Sequence, residues 1–269
     1  MWLKTFCIQG LFKIYFLLDH PIFLFAVTFA VLALSVWFGN TVLGRFRTKE
    51  TGSSADLGVI ETATLTLLAL IIGFTFSMAI ARYDARHTFE EAEANAIGTE
   101  YLRAELLSPQ SSLQVKALLN QYVELRIAFY ESRDSEKTQQ INQATAKLQR
   151  ELWHEVATSA REIPTPIIAL VTSGMNDVLN SQGYTQASWW NRIPLAAWTL
   201  MMAIAVCANM LVGYGALNFK KNLGLFMIFP LVISTSFFLI ADIDSPTNGI
   251  IKVEPRNLVS LKTSLATSF

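Results

Sequence analysis

The chain has 269 residues and a formal net charge of zero, from 21 basic and 21 acidic residues. Hydrophobic residues make up 52% of it and charged residues only 16%, whereas soluble proteins contain about 45–50% and about 25%. The lack of a basic surplus argues against nucleic-acid binding, and the apolar surplus indicates an integral membrane protein.

Residues 1–20 are predicted to form an interfacial N-terminal helix. Aromatic side chains that anchor a helix at the bilayer surface occur throughout this segment: Trp2, Phe6, Phe12, Tyr15 and Phe16. A frayed apolar tail is the alternative. No small-residue cleavage site precedes Pro21, so the segment is not a typical signal peptide.

Four apolar stretches are long enough to cross a bilayer, which takes about 20 residues. They are residues 21–43, 60–81, 195–217 and 223–241. The short connection between the last two makes them antiparallel neighbours. The predicted domains are two transmembrane hairpins, a helical domain between them and a tail: residues 21–83, 194–242, 84–193 and 243–269.

Positive charges near the span ends favour a cytoplasmic N-terminus, central domain and C-terminus. The two hairpin loops carry five basic residues: Arg45, Arg47, Lys49, Lys220 and Lys221. The opposite side carries eight near span ends: Lys4, Lys13, Arg82, Arg86, Arg103, Arg192, Lys252 and Arg256.

The central segment has apolar residues at three- and four-residue steps, which predicts helices. Pro164 and Pro166 end its second helix, and a further short helix is closed by Gly183. Trp189 and Trp190 are expected at the membrane surface before the third span. The predicted fold class is all-α.

The second span runs into charged sequence without a break, since Gly98 is the only glycine within residues 77–106 and Pro109 is the first proline after residue 77. This pattern predicts one continuous helix, about 70 Å long over residues 60–107 at 1.5 Å per residue. Its polar half carries an alanine face, expected to pack on the other central helices: Ala85, Ala92 and Ala96. Acidic residues lie opposite it: Glu90, Glu91, Glu93 and Glu100. The run of the first three is expected to form a solvated face.

The membrane half of this helix carries a stripe of small and hydroxyl residues at helical spacing: Thr62, Thr66, Ala69, Gly73 and Ser77. Such a stripe permits close packing of helices. The functional alternative is a pore, in which several copies of the helix surround an axis. Leu70 and Phe74 beside the stripe would then form a hydrophobic constriction.

Asp242 and Asp244 follow the fourth span, where membrane-edge carboxylates suggest ion handling at a pore mouth. The alternative is structural ion pairing, with Arg82 or Arg86 as the expected partner.

Several other site types are not expected. The three histidines, His20, His87 and His154, are dispersed, so neither a metal site nor a cofactor is predicted. Nucleotide-binding and nucleophile motifs are absent from the sequence, and the chain is not expected to be an enzyme. Cys7 and Cys207 are expected to be free, buried thiols.

The sequence "IGFTFSMAIARYDARHTFEEA", residues 72–92, resembles the neck helix of bestrophins. There a Gly-Phe lies about two turns before an Arg that aromatic residues follow, and Gly73-Phe74 and Arg82-Tyr83 match these positions. "EANAIGTEYLRAEL" and "ADIDSPTNGIIKV" are similar to a bacterial bestrophin-like family, as is the order of spans and helices.

The resemblance implies a homopentamer in the bacterial inner membrane that conducts small inorganic ions passively, with anions as the first choice. Phe74, Leu70 and Thr66 fall on neck positions, although the family neck is usually apolar where Thr66 lies. Tyr83-Asp84 replaces tandem tryptophans, and no calcium-binding acidic cluster is recognisable. These departures leave selectivity and gating open. A membrane sensor or scaffold, whose cytosolic helices bind a partner without conduction, is the alternative function.

Overall fold

The structure is a computed structural model that describes residues 18–46, 53–216, 219 and 221–267. Within these residues every regular element is helical, which confirms the all-α prediction. The helices are α1 Pro21–Thr41, α2 Ser53–Arg103, α3 Pro109–Glu131, α4 Ser135–Glu162, α5 Pro166–Trp190, α6 Leu195–Gly215, α7 Leu223–Asp244 and α8 Arg256–Thr267. Short 3₁₀ helices cover Leu43–Phe46 and Ala104–Leu106.

The helix α2 is continuous over 51 residues, about 76 Å at 1.5 Å per residue. This confirms that the second apolar stretch runs on into charged sequence as one helix. Its interior contains no proline, and its only glycines are Gly58, Gly73 and Gly98, so nothing in its sequence forces a break.

Side-chain caps and prolines fix the starts of the central helices. The hydroxyl of Ser108 accepts a hydrogen bond from the backbone N–H of Ser111, and Thr165 caps α5 in the same way. The prediction that Gly183 ends a short helix is wrong, because α5 continues to Trp190. A helical glycine costs only about 1 kcal/mol relative to alanine, and buried side chains on either side of Gly183 hold the helix.

Among the described residues, four helical segments are long and apolar enough to cross a membrane: Pro21–Arg45, Asp56–Leu106, Pro166–Gly215 and Leu223–Asp244. The predicted interfacial helix and Cys7 lie outside the described residues, apart from residues 18–20. Cys207 is free but exposed, so the expectation that its thiol is buried is wrong.

The described residues divide into two compact units, the first within Met1–Ala81 and Arg192–Lys252. In this unit α1 packs against α6 and α7. A Cβ at Gly39 would overlap the backbone of Met210 on α6, and one at Gly213 would overlap Val36 on α1. The amide of Asn40 also donates to the carbonyl oxygen of Ala216 at 2.9 Å. Small residues therefore bring α1 and α6 into backbone contact.

The second unit lies within Arg82–Asn191 and Val253–Phe269. It contains the polar half of α2 with α3, α4, α5 and α8, around a core of aliphatic and aromatic side chains. Trp189 belongs to this core, with its ring centroid 4.5 Å from that of Phe129. The expected placement of Trp189 at the membrane surface is therefore wrong, whereas Trp190 is 75% exposed.

Candidate functional site

The stripe of α2 and the two bulky residues beside it, Leu70 and Phe74, are uncovered in the single chain. Thr66, Leu70, Gly73, Phe74 and Ser77 are all exposed, Leu70 to 54% and Phe74 to 65%. These positions are one turn apart or adjacent along the helix. A large aromatic and a large aliphatic side chain therefore lie exposed next to each other on a helix that is apolar enough to cross a membrane.

The opposite face of α2 is the buried one. Leu68, Thr75 and Ala79 are at most 4% exposed, and their spacing of seven and four residues places them on one side of the helix. At about 100° per residue, Thr66, Leu70 and Ser77 point away from that side. Only 17% of the apolar 18-residue stretch of this segment is buried, against 28–33% of the corresponding stretch in the other three segments. The second span is thus the one that its own chain covers least.

The threonine hydroxyls of the stripe form hydrogen bonds within the helix. The hydroxyl of Thr66 donates to the carbonyl oxygen of Thr62 at 2.8 Å, and that of Thr62 donates to Gly58 at 2.7 Å. A Cβ at Gly73 would meet nothing within 4 Å, so the fold of one chain does not require a glycine there. The stripe therefore presents small side chains and carries no charge.

An apolar cavity of about 480 Å³ lies beside the stripe, between α2 and α7. Gly73 is part of its wall, together with hydrocarbon side chains that include Ile72, Phe76, Val232 and Leu239. The uncovered surface of α2 therefore extends from the stripe around to the fourth span.

Asp242 is held by the turn that follows α7. Its two carboxylate oxygens accept hydrogen bonds from the backbone N–H groups of Ile250 and Ile251, at 2.7 and 2.9 Å. A Cβ at Gly249 would overlap the backbone oxygen of Asp242, so the turn needs glycine at that position. The side chain is only 1% exposed.

Asp244 is 4% exposed and accepts from the backbone N–H of Ile193 at 3.2 Å. Arg192 lies 3.9 Å from it and also pairs with Asp19. A basic partner for one of the two carboxylates was expected, and Arg192 takes that position. Pairing of these carboxylates with Arg82 or Arg86 stays a prediction.

Arg82 and Arg86 lie at the start of the second unit. Arg86 is 2% exposed, and its Nε donates to the carbonyl oxygen of Ser188 at 3.4 Å. Arg82 is partly buried, and its Nε and Nη1 have no hydrogen-bond acceptor among the described residues.

The acidic residues of α2 correct the predicted solvated face. Glu90, Glu93 and Glu100 are completely buried, and only Glu91 is exposed. The predicted alanine face is only partly covered: Ala92 is exposed and Leu102 on the same side is 65% exposed, whereas Ala96 packs against the core. The helix therefore presents its carboxylates to the core of the unit.

Glu93 is neutralised by Arg126 of α3, whose Nε lies 2.5 Å from its Oε1. The hydroxyl of Thr185 on α5 donates to the other carboxylate oxygen at 3.1 Å. The guanidinium of Arg126 also lies 4.5 Å from the ring centroid of Phe129. A buried pair of this kind is tolerated where additional contacts stabilise the ions, although Nη1 of Arg126 has no hydrogen-bond acceptor among the described residues.

The same charges shift the pKa values of their neighbours. Burial would lower the pKa of Arg126, but the charge of Glu93 raises it above its ordinary value. Burial first, and Glu93 second, raise the pKa values of Tyr122 and Tyr130. Both phenols are therefore neutral at physiological pH.

Glu90 holds the C-terminal helix. Its carboxylate accepts from the amide of Asn257 at 2.6 Å and from the backbone N–H of Leu258 at 3.0 Å. Leu258 lies in the first turn of α8, where free N–H groups attract an anion. No sequence signal for this contact exists, because 167 residues separate Glu90 from Asn257.

Across the described part of the chain, no three His, Cys, Asp or Glu side chains gather where they could hold a metal ion.

The four apolar segments and the helical unit define an all-α integral membrane protein. A family model described as "Bestrophin-like domain" matches residues 26–258. The chain belongs to this bestrophin-like family.

Solved structures share the fold. A bacterial bestrophin homologue from Klebsiella pneumoniae with a point mutation is 11% identical, with a TM-score of 0.61 over 92% of this chain and 98% of that one. A second structure of a K. pneumoniae homologue is 10% identical, with a TM-score of 0.61 over 91% and 97%. A third, described as a membrane protein, is 10% identical, with a TM-score of 0.63 over 90% and 97%. No curated protein matches the chain significantly.

Proposed function

We propose that the chain forms a homopentameric channel that conducts small inorganic ions passively through the membrane, with α2 lining its narrow neck. The observation that carries the proposal is the stripe of α2. A transmembrane helix that leaves Leu70 and Phe74 exposed, while burying its opposite face, needs either lipid or other copies against that side. Membership of the bestrophin-like family favours other copies around an axis.

The stripe suits a hydrophobic neck. Leu70 and Phe74 are one turn apart, and a ring of each around an axis would give two successive apolar constrictions of the kind that gate by dewetting. Thr66 lies one further turn along. Gly73 and Ser77 have little volume, which allows neighbouring helices to approach closely.

Anions are the expected substrate because of the family resemblance, since no charge on the stripe sets the sign. Arg82 and Arg86 follow the end of the span, and Asp242 and Asp244 follow the fourth span. We place these four residues at the mouth of the pore, as ion-pairing or ion-attracting groups. No resident cofactor and no catalytic role are proposed.

We place the protein in the bacterial inner membrane, with the N-terminus, the helical domain and the C-terminus in the cytoplasm. The excess of basic residues on that side supports this orientation. The domain boundaries at residues 20, 83, 193 and 242 are part of the same proposal.

A membrane scaffold is the second candidate, favoured by exposed leucines on the helical unit. Leu102, Leu106 and Leu113 are exposed to 65%, 45% and 69%. Exposed apolar side chains that lie together suggest a surface that binds another protein. In a channel, other copies of the chain cover this surface. In a scaffold, a different protein covers it.

Flux measurements on the purified protein in liposomes distinguish the two functions. Chloride and potassium gradients are imposed separately, with empty liposomes as the control, and the mass of the detergent-solubilised oligomer is determined in parallel. We expect a pentamer and flux above the control under at least one gradient. A stable oligomer without flux of either ion would contradict the channel and leave the scaffold.

A further inference from the structure

Glu100 is a buried carboxylic acid without a hydrogen-bond partner among the described residues. Its side chain is completely buried, and neither carboxylate oxygen has a hydrogen-bond donor among the described residues. It differs in this from Glu90 and Glu93, which are equally buried but accept hydrogen bonds. An unpaired buried carboxylate is strongly unfavourable, and such a group normally resolves this by binding a proton.

The surroundings of Glu100 are built by α2 and α5. A Cβ at Gly174 of α5 would overlap both Oε2 of Glu100 and Nη1 of Arg103. The two side chains therefore both lie against the backbone of α5 at Gly174, where only glycine leaves enough room for them. The charged groups that act on Glu100 are Arg103 on its own helix and Asp177 one turn further along α5.

Burial and these two charges together bring the pKa of Glu100 close to physiological pH. Burial raises its pKa from 4.5 to about 8, with Arg103 lowering it and Asp177 raising it. The residue lies outside the membrane-spanning part of α2, which ends near Ala81. The guanidinium of Arg103 beside the carboxylate disfavours a metal cation, so the ligand that fits is a proton.

We propose that Glu100 is a proton-binding switch that controls the packing of α5 against α2. With the proton bound, the neutral acid stays in its place beside Gly174. When the proton leaves, the charged carboxylate has no hydrogen-bond donor at this position, and α5 separates locally from α2 so that water reaches it. Glu100 lies 26 residues beyond Phe74, about 39 Å along the same helix, and any effect on conduction rests on the proposed function.

Hydrogen exchange of residues 168–178 on α5 tests the switch between pH 5 and 9.5, after correction for the intrinsic exchange rate. Because the closed state has the higher pKa, the open fraction of the wild type should rise by up to about tenfold per pH unit and level off near pH 8. Glu100→Gln, which imitates the protonated acid, should show no such rise. Glu91→Gln removes an exposed carboxylate of the same helix and should behave like the wild type.

Two neighbouring substitutions give opposite shifts. Asp177→Asn should move the levelling-off point to lower pH, and Arg103→Gln should move it to higher pH. These variants also carry the test if Glu100→Gln does not fold. A wild type without pH-dependent opening, a rise that survives in Glu100→Gln, or shifts of the same sign in both neighbours would overturn the proposal.

A liposome experiment keeps this inference separate from the channel proposal. If conduction follows the switch, flux should change with pH in the wild type and stay constant in Glu100→Gln. Absence of flux in both would contradict the channel, while the exchange result would still decide on Glu100.

Discussion

Glu93 and Arg126 form an ion pair in which both side chains are completely buried, with 2.5 Å between Oε1 and Nε. The pair joins α2 to α3, and Thr185 extends it to α5. These contacts to two other helices fix the rotation of the polar half of α2 within the helical unit.

Removing one partner should therefore be costly. Arg126→Met leaves the carboxylate of Glu93 buried without its cation, which we expect to destabilise the protein by about 3–5 kcal/mol. Unfolding in detergent, followed by circular dichroism, measures the loss. Lys147→Met is the matched control, because the Lys147–Glu151 pair is exposed and should contribute no more than about 0.5 kcal/mol. Equal effects of the two substitutions would contradict the structural role of the buried pair.

The close contact between α1 and α6 predicts that two glycines of the first unit differ in how much their replacement by alanine changes the stability. Gly213→Ala places a methyl group against the carbonyl of Val36, and overpacking of this kind typically costs about 1–3 kcal/mol. Gly224→Ala on α7 meets nothing within 4 Å and should leave the stability unchanged or slightly higher. Thermal unfolding in detergent compares the two variants. A Gly213→Ala protein as stable as the Gly224→Ala protein would show that the helices do not approach this closely.

Asp242 should act as an anchor for residues 245–252. Asp242→Ala removes both acceptors of the Ile250 and Ile251 N–H groups, and each bond to a charged group is worth about 1.5–3 kcal/mol. We expect protease cleavage of this segment to become faster, whereas Asp242→Asn, which keeps one acceptor oxygen, should have an intermediate effect. Unchanged cleavage in the alanine variant would favour a role for Asp242 outside the turn.

A pore along the stripe should admit water-soluble reagents. In a background in which Cys7 and Cys207 are replaced by serine, Leu70→Cys should react with a charged methanethiosulfonate in liposomes, because a thiol in water can ionise. Leu34→Cys on α1 is the control, since Leu34 is 62% exposed on a span that we expect to face lipid. Equal protection at both positions would place the stripe in lipid or in a dry helix contact.

The sequence predicts the elements of this fold well, because their signals are local. Apolar length identifies the spans, and the absence of proline and the scarcity of glycine identify α2 as one helix. The end of α5 was missed because Gly183 is a common helix terminator, whereas buried side chains on both sides of it keep this helix intact.

The buried carboxylates could not be predicted, because their partners are distant in sequence. Glu90 and Glu93 look like an ordinary solvated run until Asn257 and Arg126 are placed beside them. Glu100 has no hydrogen-bond partner among the described residues, and nothing in the sequence around it marks its burial. The stripe was visible from its spacing, but only the structure shows that its residues are exposed while Leu68 and Ala79 are buried.

The central claim is that Phe74 narrows an ion pathway, and ion flux from liposomes that contain the wild type or Phe74→Ala tests it most directly. Phe23→Ala is the matched control, because Phe23 is similarly exposed, at 54%, on α1. We predict faster flux in Phe74→Ala, an unchanged oligomer mass and wild-type flux in Phe23→Ala. Flux that is unchanged in Phe74→Ala, or an oligomer that dissociates without any gain in flux, would contradict the account.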